Sequence, residues 1–404
     1  MKTLMVSALL ALGCILQPVA AQVKVQWPQA GREAKAGSRW WWMGSAVDEA
    51  NLTWQMEQLA QAGIGTLEIT PIYGVQGNGS KNISFLSEQW LQMLQYVQQE
   101  GARLGIDIDM TTGTGWPSGG PMVKREQSAS KLVSETFDIT GDGSKEHTVK
   151  LTTGNGLLQC VMAFPQKGTE GEVTNLTALA DGSTLKWTAP TGQWKLIAAY
   201  NQYGVMQVTR PSPGSEGVVV DYFDHDAVAA YLDWFDQKFA AGGSPWPHSF
   251  FNDSYEINQA DWTPRLLEEF EARRGYKLED NLDLLLGIGN TPHPTLNAKQ
   301  VLADYRLTLA DMLRDNFTRQ WTQWAHSHGA TTRNQAHGSP GNIIDLYAEA
   351  DIPETENFYL NSFGIKGLRD DVGFYNKALS SRPTLKYASS AAPVTGKPLT
   401  RASR

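Results

Sequence analysis

Five acidic side chains stand where chemistry can be expected, because each lies within or directly after a short stretch that has the pattern of a strand. They are Glu68, Asp253, Glu256, Glu354 and Glu356. In a barrel of parallel strands, polar residues at the carboxyl ends of the strands meet at one face. Glycoside hydrolysis needs one carboxylic acid to protonate the leaving oxygen and a second carboxylate to activate water or attack the sugar. The acidic residues therefore favour a glycosidase site.

These carboxylates are assigned different roles. Glu256 is the candidate general acid, because burial against aromatic rings would keep it protonated near neutral pH; alternatively it caps a neighbouring helix. Glu354 and Glu356 lie two apart on a predicted strand, so both point to one side. Either is a candidate base, and either could instead pair with an arginine. Glu68 is predicted to contact substrate or a metal ion.

Four further residues are predicted to contact a sugar: Trp116, Asp253, Asn334 and His337. Trp116 ends the stretch T-T-G-T-G-W and offers a flat apolar face, although it could equally be a core aromatic. His337 could orient substrate or be a structural histidine. The glycine-rich stretch lacks G-x-x-x-x-G-K-[ST], and no G-x-S-x-G elbow stands near a Ser-His pair, so nucleotide binding and esterase chemistry are disfavoured.

Strands and helices that position these residues alternate in the first part of the chain. Strands are predicted at 39–43, 66–70 and 106–110, and the helices between them begin at Asp48 and Ser87. The order β-α-β-α-β predicts parallel strands joined by right-handed crossovers. Residues 128–220 alternate instead, with turns between strand-like runs, and are predicted to form an inserted all-β subdomain.

Helical periodicity returns at Asp226, and further strands are predicted at 249–256, 331–335 and 351–356. About six strands are counted, with a seventh beginning at the end of the chain. A (β/α)8 barrel needs eight, so either this count is wrong or the chain is a truncated form of a longer protein. Truncation is favoured, and the expected fold is an α/β TIM-type barrel, incomplete at the C-terminus. The predicted organisation is a signal peptide at 1–21, barrel at 22–127, insertion at 128–220 and barrel at 221–404.

Composition and the first residues limit the compartment and the partners. The chain has 404 residues with 42 acidic and 34 basic side chains, a formal net charge of −8. Because the chain is acidic and has no Lys/Arg run, nucleic acid and anionic membranes are not expected as binding partners. The apolar run from Leu4 to Leu16 is too short for a membrane span, and the small residues after it suit signal-peptide cleavage. The expected location is periplasmic or extracellular, with Cys160 as the single cysteine left.

A series of motifs, weak singly and specific together, resembles the N-terminal catalytic region of glycoside hydrolase family 106. The motifs run in order from about residue 39 to the end of the chain. They occupy residues 41–44, 62–68, 110–120, 251–256, 262–264, 273–276, 334–340, 350–356, 388–392 and 396–398.

The resemblance implies an exported bacterial α-L-rhamnosidase with a (β/α)8 barrel, dependent on calcium and inverting, that acts on rhamnose-containing plant polysaccharides or glycosides. It places the general acid at Glu256 and a base on a later strand. The family usually carries a Glu on a short strand after the segment 396–398, and Ser403 stands near that place here. If the base of the family is that Glu, this chain lacks it and is expected to be inactive or nearly so. The alternatives are a glycan-binding pseudoenzyme or fragment, and a retaining glycosidase on the same barrel.

Overall fold

The computed structural model describes residues 31–152, 156–356, 381–398 and 400–403, so the predicted signal peptide lies outside the described residues. The strands are β1 Ala36–Met43, β2 Ile64–Ile72, β3 Asp107–Thr111, β4 Gly119–Gly120, β5 Ser130–Gly141, β6 Glu146–Lys150, β7 Gly156–Pro165, β8 Thr174–Asn175, β9 Ala180–Asp181, β10 Thr184–Thr188, β11 Gly192–Tyr203, β12 Val218–Val219, β13 Ser249–Asn252, β14 Thr331–Gln335, β15 Ile352–Glu356 and β16 Arg401–Ser403. The α-helices are α1 Glu49–Gln61, α2 Glu88–Leu104, α3 His225–Gly242, α4 Leu266–Arg274, α5 Leu282–Leu286, α6 Ala298–Met312, α7 Gln320–Ser327, α8 Ile343–Glu349 and α9 Ser381–Thr395.

One parallel sheet organises the fold. Its seven strands lie in the order β1-β2-β3-β13-β14-β15-β16. Every neighbouring pair is parallel, and helices α1 and α2 connect the first three strands. The predicted β-α-β-α-β order of this part is confirmed, as is the count of about six strands with a seventh near residue 400.

Helices α1 and α2 begin where the sequence signals placed them. The side chain of Asp48 accepts a hydrogen bond from the backbone N–H of Asn51 at the start of α1. Ser87 accepts one from Trp90 at the start of α2, and Gly105 ends that helix in the left-handed region with φ 71°. Such caps satisfy backbone groups that a helix terminus leaves unpaired. The apolar stripe of α2 then packs Trp90 and Leu94 into the core.

Side-chain contacts show that the sheet is curled. Arg333 on β14 forms an ion pair of 2.5 Å with Glu68 on β2, although β3 and β13 lie between these two strands. Neighbouring strands stand about 4.8 Å apart, so in a flat sheet the backbones of β2 and β14 would be separated by roughly three such spacings. Curling brings side chains of one face together in the interior, as in part of a barrel. The described strands form a curled half-barrel in a mixed α/β fold.

A strand-rich segment separates β3 from the second half of the sheet. Residues 130–203 carry two antiparallel sheets, in the orders β5-β11-β7-β8 and β6-β10-β9. A second cluster of buried apolar residues, including Leu185, Trp194 and Leu196, packs there. The boundaries of an inserted subdomain at 128–220 stay a prediction.

Two elements differ from the expectation. Strand β13 ends at Asn252, four residues before the predicted end, because local hydrogen bonds replace the ladder: the Asp253 carboxylate accepts from the backbone N–H of Ser254 at 2.8 Å, and Asn252 Nδ2 donates to the Asp253 carbonyl at 3.1 Å. The long helix predicted from Leu302 to His328 contains a π-helical stretch, Leu313–Arg319, between α6 and α7.

Candidate active site

The carboxyl ends of β3 and β13 border a cleft that holds polar and aromatic residues from distant parts of the sequence. It is lined by Thr111, Thr112, Gly115, Trp116, Pro117, Ser118, Tyr222, Phe251, Asn252, Asp253 and Ser254. The curled sheet places these residues together, as expected for the site of a barrel. Of the predicted site residues, Trp116 and Asp253 therefore lie in one cleft.

Asp253 lies directly after β13, on the wall of the cleft. Its carboxylate pairs with the Arg39 guanidinium, with 3.2 Å between Asp253 Oδ2 and Arg39 Nη1. Burial raises the pKa of Asp253, and the charge of Arg39 opposes that shift. Asp253 is thus a partly desolvated carboxyl held at the edge of the cleft, a position from which it can accept a hydrogen bond from a sugar hydroxyl.

Glu256 follows in the same loop and is exposed, so the burial against aromatic rings that was expected for this carboxyl from the sequence is wrong: the chain leaves the sheet at Asn252 and carries Glu256 to the surface. Ser254 Oγ lies 3.4 Å from Glu256 Oε1, a long contact within the loop. The loop is tied to the next strand-end segment, because the backbone N–H of Tyr255 donates to the His337 carbonyl at 3.0 Å. A carboxyl so placed can reach a ligand at the strand ends, whereas the cap of a neighbouring helix, the alternative for Glu256, does not occur among the helix caps described.

Glu354, a candidate base, is buried within the curl of the sheet. One of its carboxylate oxygens accepts a hydrogen bond from Arg333 Nη1, and the other accepts from Gln335 Nε2 at 2.9 Å. The arginine partnership considered in the sequence is therefore present. Because both oxygens of Glu354 accept hydrogen bonds inside the sheet, its carboxylate has little freedom to activate a water molecule.

Arg333 is the centre of this buried ion pair. Besides Glu354, it contacts Glu68 and Asp109, with Asp109 Oδ2 at 3.5 Å, and its guanidinium stacks 4.6 Å from the centroid of the Phe251 ring. Burial disfavours the charge of Arg333, but the three carboxylates outweigh burial and raise its pKa. We call Glu68, Asp109, Arg333 and Glu354 the central network.

Glu68 is fully engaged by protein groups. Its Oε1 accepts from Arg39 Nε and from Thr70 Oγ1, both at 2.9 Å, and its Oε2 pairs with Arg333. The structure thus places Glu68 in the central network rather than at the cleft wall. Its predicted contact with substrate stays a prediction.

Glu356 ends β15, two residues after Glu354, but it is partly exposed, with a side-chain exposure of 27%. Its carboxylate lies 3.5 Å from His337 Nε2. The alternation of a strand would put Glu354 and Glu356 on one side, yet their surroundings differ. Glu354 is enclosed by the sheet, whereas Glu356 lies beside His337 at the carboxyl ends of the strands, which we call the rim. Of the two candidate bases, Glu356 is the one near solvent.

Asn334 and Trp116 occupy different positions. Asn334 is buried and accepts a hydrogen bond of 2.8 Å from Asn252 Nδ2, so it orients the loop that follows β13. Trp116 lies on the cleft beside Trp41, with ring centroids 6.4 Å apart. The Arg210 guanidinium stands 5.1 Å from the Trp116 ring centroid. Trp116 and the half-exposed Trp41 offer apolar faces that suit a sugar ring.

Two arginines of the site were not found from the sequence. Arg39 and Arg333 lie inside predicted strands, and their partners are distant: Arg39 pairs with a residue 214 positions away, and Arg333 with one 265 positions away. Basic residues pointing into the interior of a buried sheet are rare unless paired. An arginine inside a predicted buried strand, in a chain whose other strands carry acidic residues, was therefore the sequence signal that could have indicated these ion pairs.

The resemblance implies a calcium ion, which would need a group of side chains arranged as ligands. Among the described residues, no group of three or more His, Cys, Asp or Glu side chains is arranged to hold a metal ion. The densest carboxylate group, in the central network, already surrounds the Arg333 guanidinium. The acidic groups of the central network, which already bind a guanidinium, do not fit a calcium site.

None of the helices in the described residues is long and apolar enough to cross a membrane.

A protein of Formosa agariphila provisionally named a beta-glucuronidase is 25% identical over 387 residues, covering 85% of this chain and 33% of that protein. The chain thus spans about a third of the length of this relative.

A solved rhamnosidase from Novosphingobium sp. PP1Y has a similar structure, with a TM-score of 0.75 and 17% sequence identity over 93% of this chain and 52% of its own. The similarity shows a common fold. A beta-galactosidase from Marinomonas ef1 reaches a TM-score of 0.41 at 11% identity, over 84% of this chain and 43% of that one, which is too weak to carry an argument.

The family model for alpha-L-rhamnosidase matches residues 28–177 and 169–403, which is nearly all of the described chain. The match covers the strand ends that carry Glu68, Asp253, Glu256, Glu354 and Glu356. The chain therefore belongs to the alpha-L-rhamnosidase family of glycoside hydrolases, family 106.

Proposed function

We propose that the protein removes terminal α-L-rhamnosyl residues from plant glycans or glycosides by an inverting mechanism with two carboxylates. The observation that carries the proposal is the set of carboxyl groups after β13 and at the end of β15, Asp253, Glu256 and Glu356, in a chain of the alpha-L-rhamnosidase family; Asp253 shares its cleft with Trp116. The partner is a rhamnose-containing oligosaccharide or polysaccharide.

Glu256 is the proposed general acid. Cleavage of a glycosidic bond leaves an alkoxide unless a proton reaches the leaving oxygen as the bond breaks. The loop after β13 presents Glu256 to solvent at the strand ends, and the contact of the loop with the segment at His337 fixes its course. A carboxyl there can approach a glycosidic oxygen lying over the cleft.

Glu356 is the proposed base, in preference to Glu354. An inverting base must hold a water molecule with a free carboxylate oxygen on the opposite side of the sugar from the acid. The oxygens of Glu354 accept from Arg333 and Gln335, whereas Glu356 is partly exposed beside His337. His337 then orients Glu356, and Trp116, Asp253 and Asn334 shape the sugar site.

Three further features belong to the same proposal. The first 21 residues would direct export to the periplasm or the exterior, the curled sheet would form part of a (β/α)8 barrel with an insertion at 128–220, and the activity would depend on calcium, as the family resemblance implies. Each comes from the sequence or from the family resemblance.

Release of rhamnose from an aryl α-L-rhamnoside tests the proposal. The chain is expected to release it, and with phenyl α-L-rhamnoside, whose leaving oxygen needs a proton, Glu256→Gln is expected to lower kcat by about 10²–10⁴-fold, the usual contribution of a general acid. Glu268→Gln, an exposed carboxylate on α4, is the matched control and should leave kcat unchanged. Equal rates for the chain and Glu256→Gln would remove Glu256 from its role.

Glycan binding without turnover is the second candidate. The pairing of Glu354 favours it, because one of the two candidate bases is already bound within the sheet. Calorimetry with rhamnose that shows binding, together with an absence of rhamnose release, would establish this alternative. A retaining glycosidase is distinguished by the anomer first released, since inversion gives the β-anomer and retention the α-anomer.

A further inference from the structure

Arg39 on β1 is the cation that contacts the Asp253 carboxylate. Its Nη1 stands 3.2 Å from Asp253 Oδ2, while Asp253 Oδ1 accepts from the backbone N–H of Ser254 at 2.8 Å. Among the described residues, Arg39 is the side chain that forms an ion pair with Asp253. The orientation of Asp253 toward the cleft therefore depends on one guanidinium and one loop amide.

Arg39 is itself held in place from several sides. Its Nε pairs with Glu68 Oε1 at 2.9 Å, and its guanidinium lies between the rings of Phe251 and Trp41, at 4.9 and 5.3 Å from their centroids. Glu68 is fixed in turn by Arg333 and Thr70. A planar guanidinium can bridge two carboxylates with different N–H groups, which the single ammonium of a lysine cannot do with the same geometry.

Charges that face Asp253 come from several elements. Arg39 on β1 favours its ionised form, while Glu68 on β2 and Glu356 on β15 disfavour it. The Tyr222 phenol, in the segment before α3, also lies within electrostatic range of Asp253. Burial raises the pKa of Asp253, and the charge of Arg39 and the hydrogen bond from the backbone N–H of Ser254 oppose this shift.

We infer that Arg39 is a positioning residue of the proposed site, which fixes the Asp253 carboxylate at the cleft and sets its charge by linking it to the central network. The inference deepens the proposed function, because Asp253 is a proposed sugar contact. The chain of contacts runs from Arg333 through Glu68 and Arg39 to Asp253, so the interior of the sheet determines the state of a side chain at its rim.

The pKa of Asp253 is the direct readout, and it needs no catalysis. Protein labelled with ¹³C at the aspartate carboxyl carbon gives one titrating signal per aspartate, and Asp253→Asn identifies the signal of Asp253 by its loss. An opposite charge at this range lowers a carboxyl pKa by about 1–3 units. Arg39→Gln is therefore expected to raise the pKa of Asp253 by at least about one unit.

Further variants keep the test decisive if Arg39→Gln does not fold. Glu356→Gln removes a like charge and should lower the pKa of Asp253, the opposite sign. Arg39→Lys keeps the positive charge but loses the planar guanidinium that bridges two carboxylates. The pKa of Asp253 should therefore stay closer to its value in the unsubstituted protein. A pKa of Asp253 that is unchanged in Arg39→Gln, or in the equally neutral Arg39→Met when Arg39→Gln does not fold, overturns the inference.

Turnover of an aryl α-L-rhamnoside separates positioning from charge. If the protein is active, Arg39→Lys should raise KM several-fold although the pKa of Asp253 is nearly retained, because the bridge to Glu68 is lost. Full retention of KM in Arg39→Lys would contradict the positioning role. If the protein shows no turnover, the proposed function fails, while the pKa measurements still decide the inference about Arg39.

Discussion

Arg333 and Arg210 offer a direct comparison between the centre of the sheet and its rim. Each guanidinium stacks on an aromatic ring, Arg333 at 4.6 Å from the Phe251 centroid and Arg210 at 5.1 Å from that of Trp116. Arg333 is buried and binds three carboxylates, whereas Arg210 is exposed and appears in none of the ion pairs of the described residues. The charge of Arg333 is thus neutralised in the centre, whereas that of Arg210 is left available at the rim.

The acidic residues follow the same division. Glu68 and Glu354 accept hydrogen bonds with both oxygens inside the curl of the sheet. Glu256 and Glu356 reach the surface from the ends of β13 and β15. Residues of one type are thus bound within the sheet in one region and exposed at its carboxyl end in another.

Removing the central cation should have the largest effect on stability. Arg333→Met leaves Glu68, Asp109 and Glu354 as buried carboxylates without their common partner, and it should lower the free energy of unfolding by about 3–5 kcal/mol. Arg210→Met removes a similar stacked side chain at the rim and should cost less than about 1 kcal/mol. Urea unfolding of both variants checks this. Equal losses would show that the centre and the rim do not differ as described.

Removing the proposed base should affect turnover rather than stability. Glu356→Gln is expected to lower kcat for an aryl α-L-rhamnoside by about 10²-fold or more, since a general base contributes about 10²–10⁴-fold. Its free energy of unfolding should change by less than about 1 kcal/mol, because exposed ion pairs contribute little. Unchanged kcat, in a protein that is active, would return the role of base to another carboxylate.

Asp221 extends the comparison to a buried acid that takes part in none of the ion pairs formed among the described residues. Its carboxylate accepts from the backbone N–H of Phe223 at 2.9 Å, and burial raises its pKa to about 7, with Asp224 adding to the shift. In the unfolded chain the pKa of an aspartate is about 3.9, so the folded form binds the proton more tightly. The stability that this proton provides is complete below about pH 4 and is lost as pH rises through about 7.

Unfolding by urea at several pH values measures this effect. The free energy of unfolding should fall with a slope of up to about 1.4 kcal/mol per pH unit from Asp221 alone. Asp221→Asn should remove that part of the slope between pH 4 and 7. A slope that is identical in the variant would mean that Asp221 titrates as it does in the unfolded chain.

The aromatic face at the rim should give the smallest effect. Trp116→Ala removes a flat apolar surface from the cleft and should weaken rhamnoside binding by about 0.5–1.5 kcal/mol, seen as a rise in KM or in the calorimetric Kd. Trp54→Ala, on the outer face of α1 and 62% exposed, serves as the control and should leave both values unchanged. If both variants behave alike, Trp116 is a structural aromatic.

Much of the fold could be predicted from the sequence because its signals are local. Asp48 and Ser87 mark helix starts by their side-chain chemistry, and the apolar spacing of α2 identifies its buried face. The end of β13 was missed because the hydrogen bond of Asp253 with Ser254, which takes the chain out of the sheet, competes with strand pairing in a way that apolar alternation does not record.

The site was predicted only in part, for a physical reason. Strand-end position identified Asp253, Glu256 and Glu356 as acidic residues near one edge, but it could not separate Glu354 from Glu356, since alternation places both on one side. Their environments differ because Arg333 lies against Glu354, and that contact depends on how tightly the sheet curls. Curling is a property of all the strands together.

The dependence of rate on the leaving group tests the central claim, acid catalysis by Glu256 at the rim, most directly. With phenyl α-L-rhamnoside, whose leaving oxygen needs a proton, Glu256→Gln should lower kcat/KM by about 10²–10⁴-fold. With 2,4-dinitrophenyl α-L-rhamnoside, whose leaving group departs as a stable anion, the loss should be less than about 10-fold. An equal loss on both substrates would contradict the account, because Glu256 would then act on something other than the leaving oxygen.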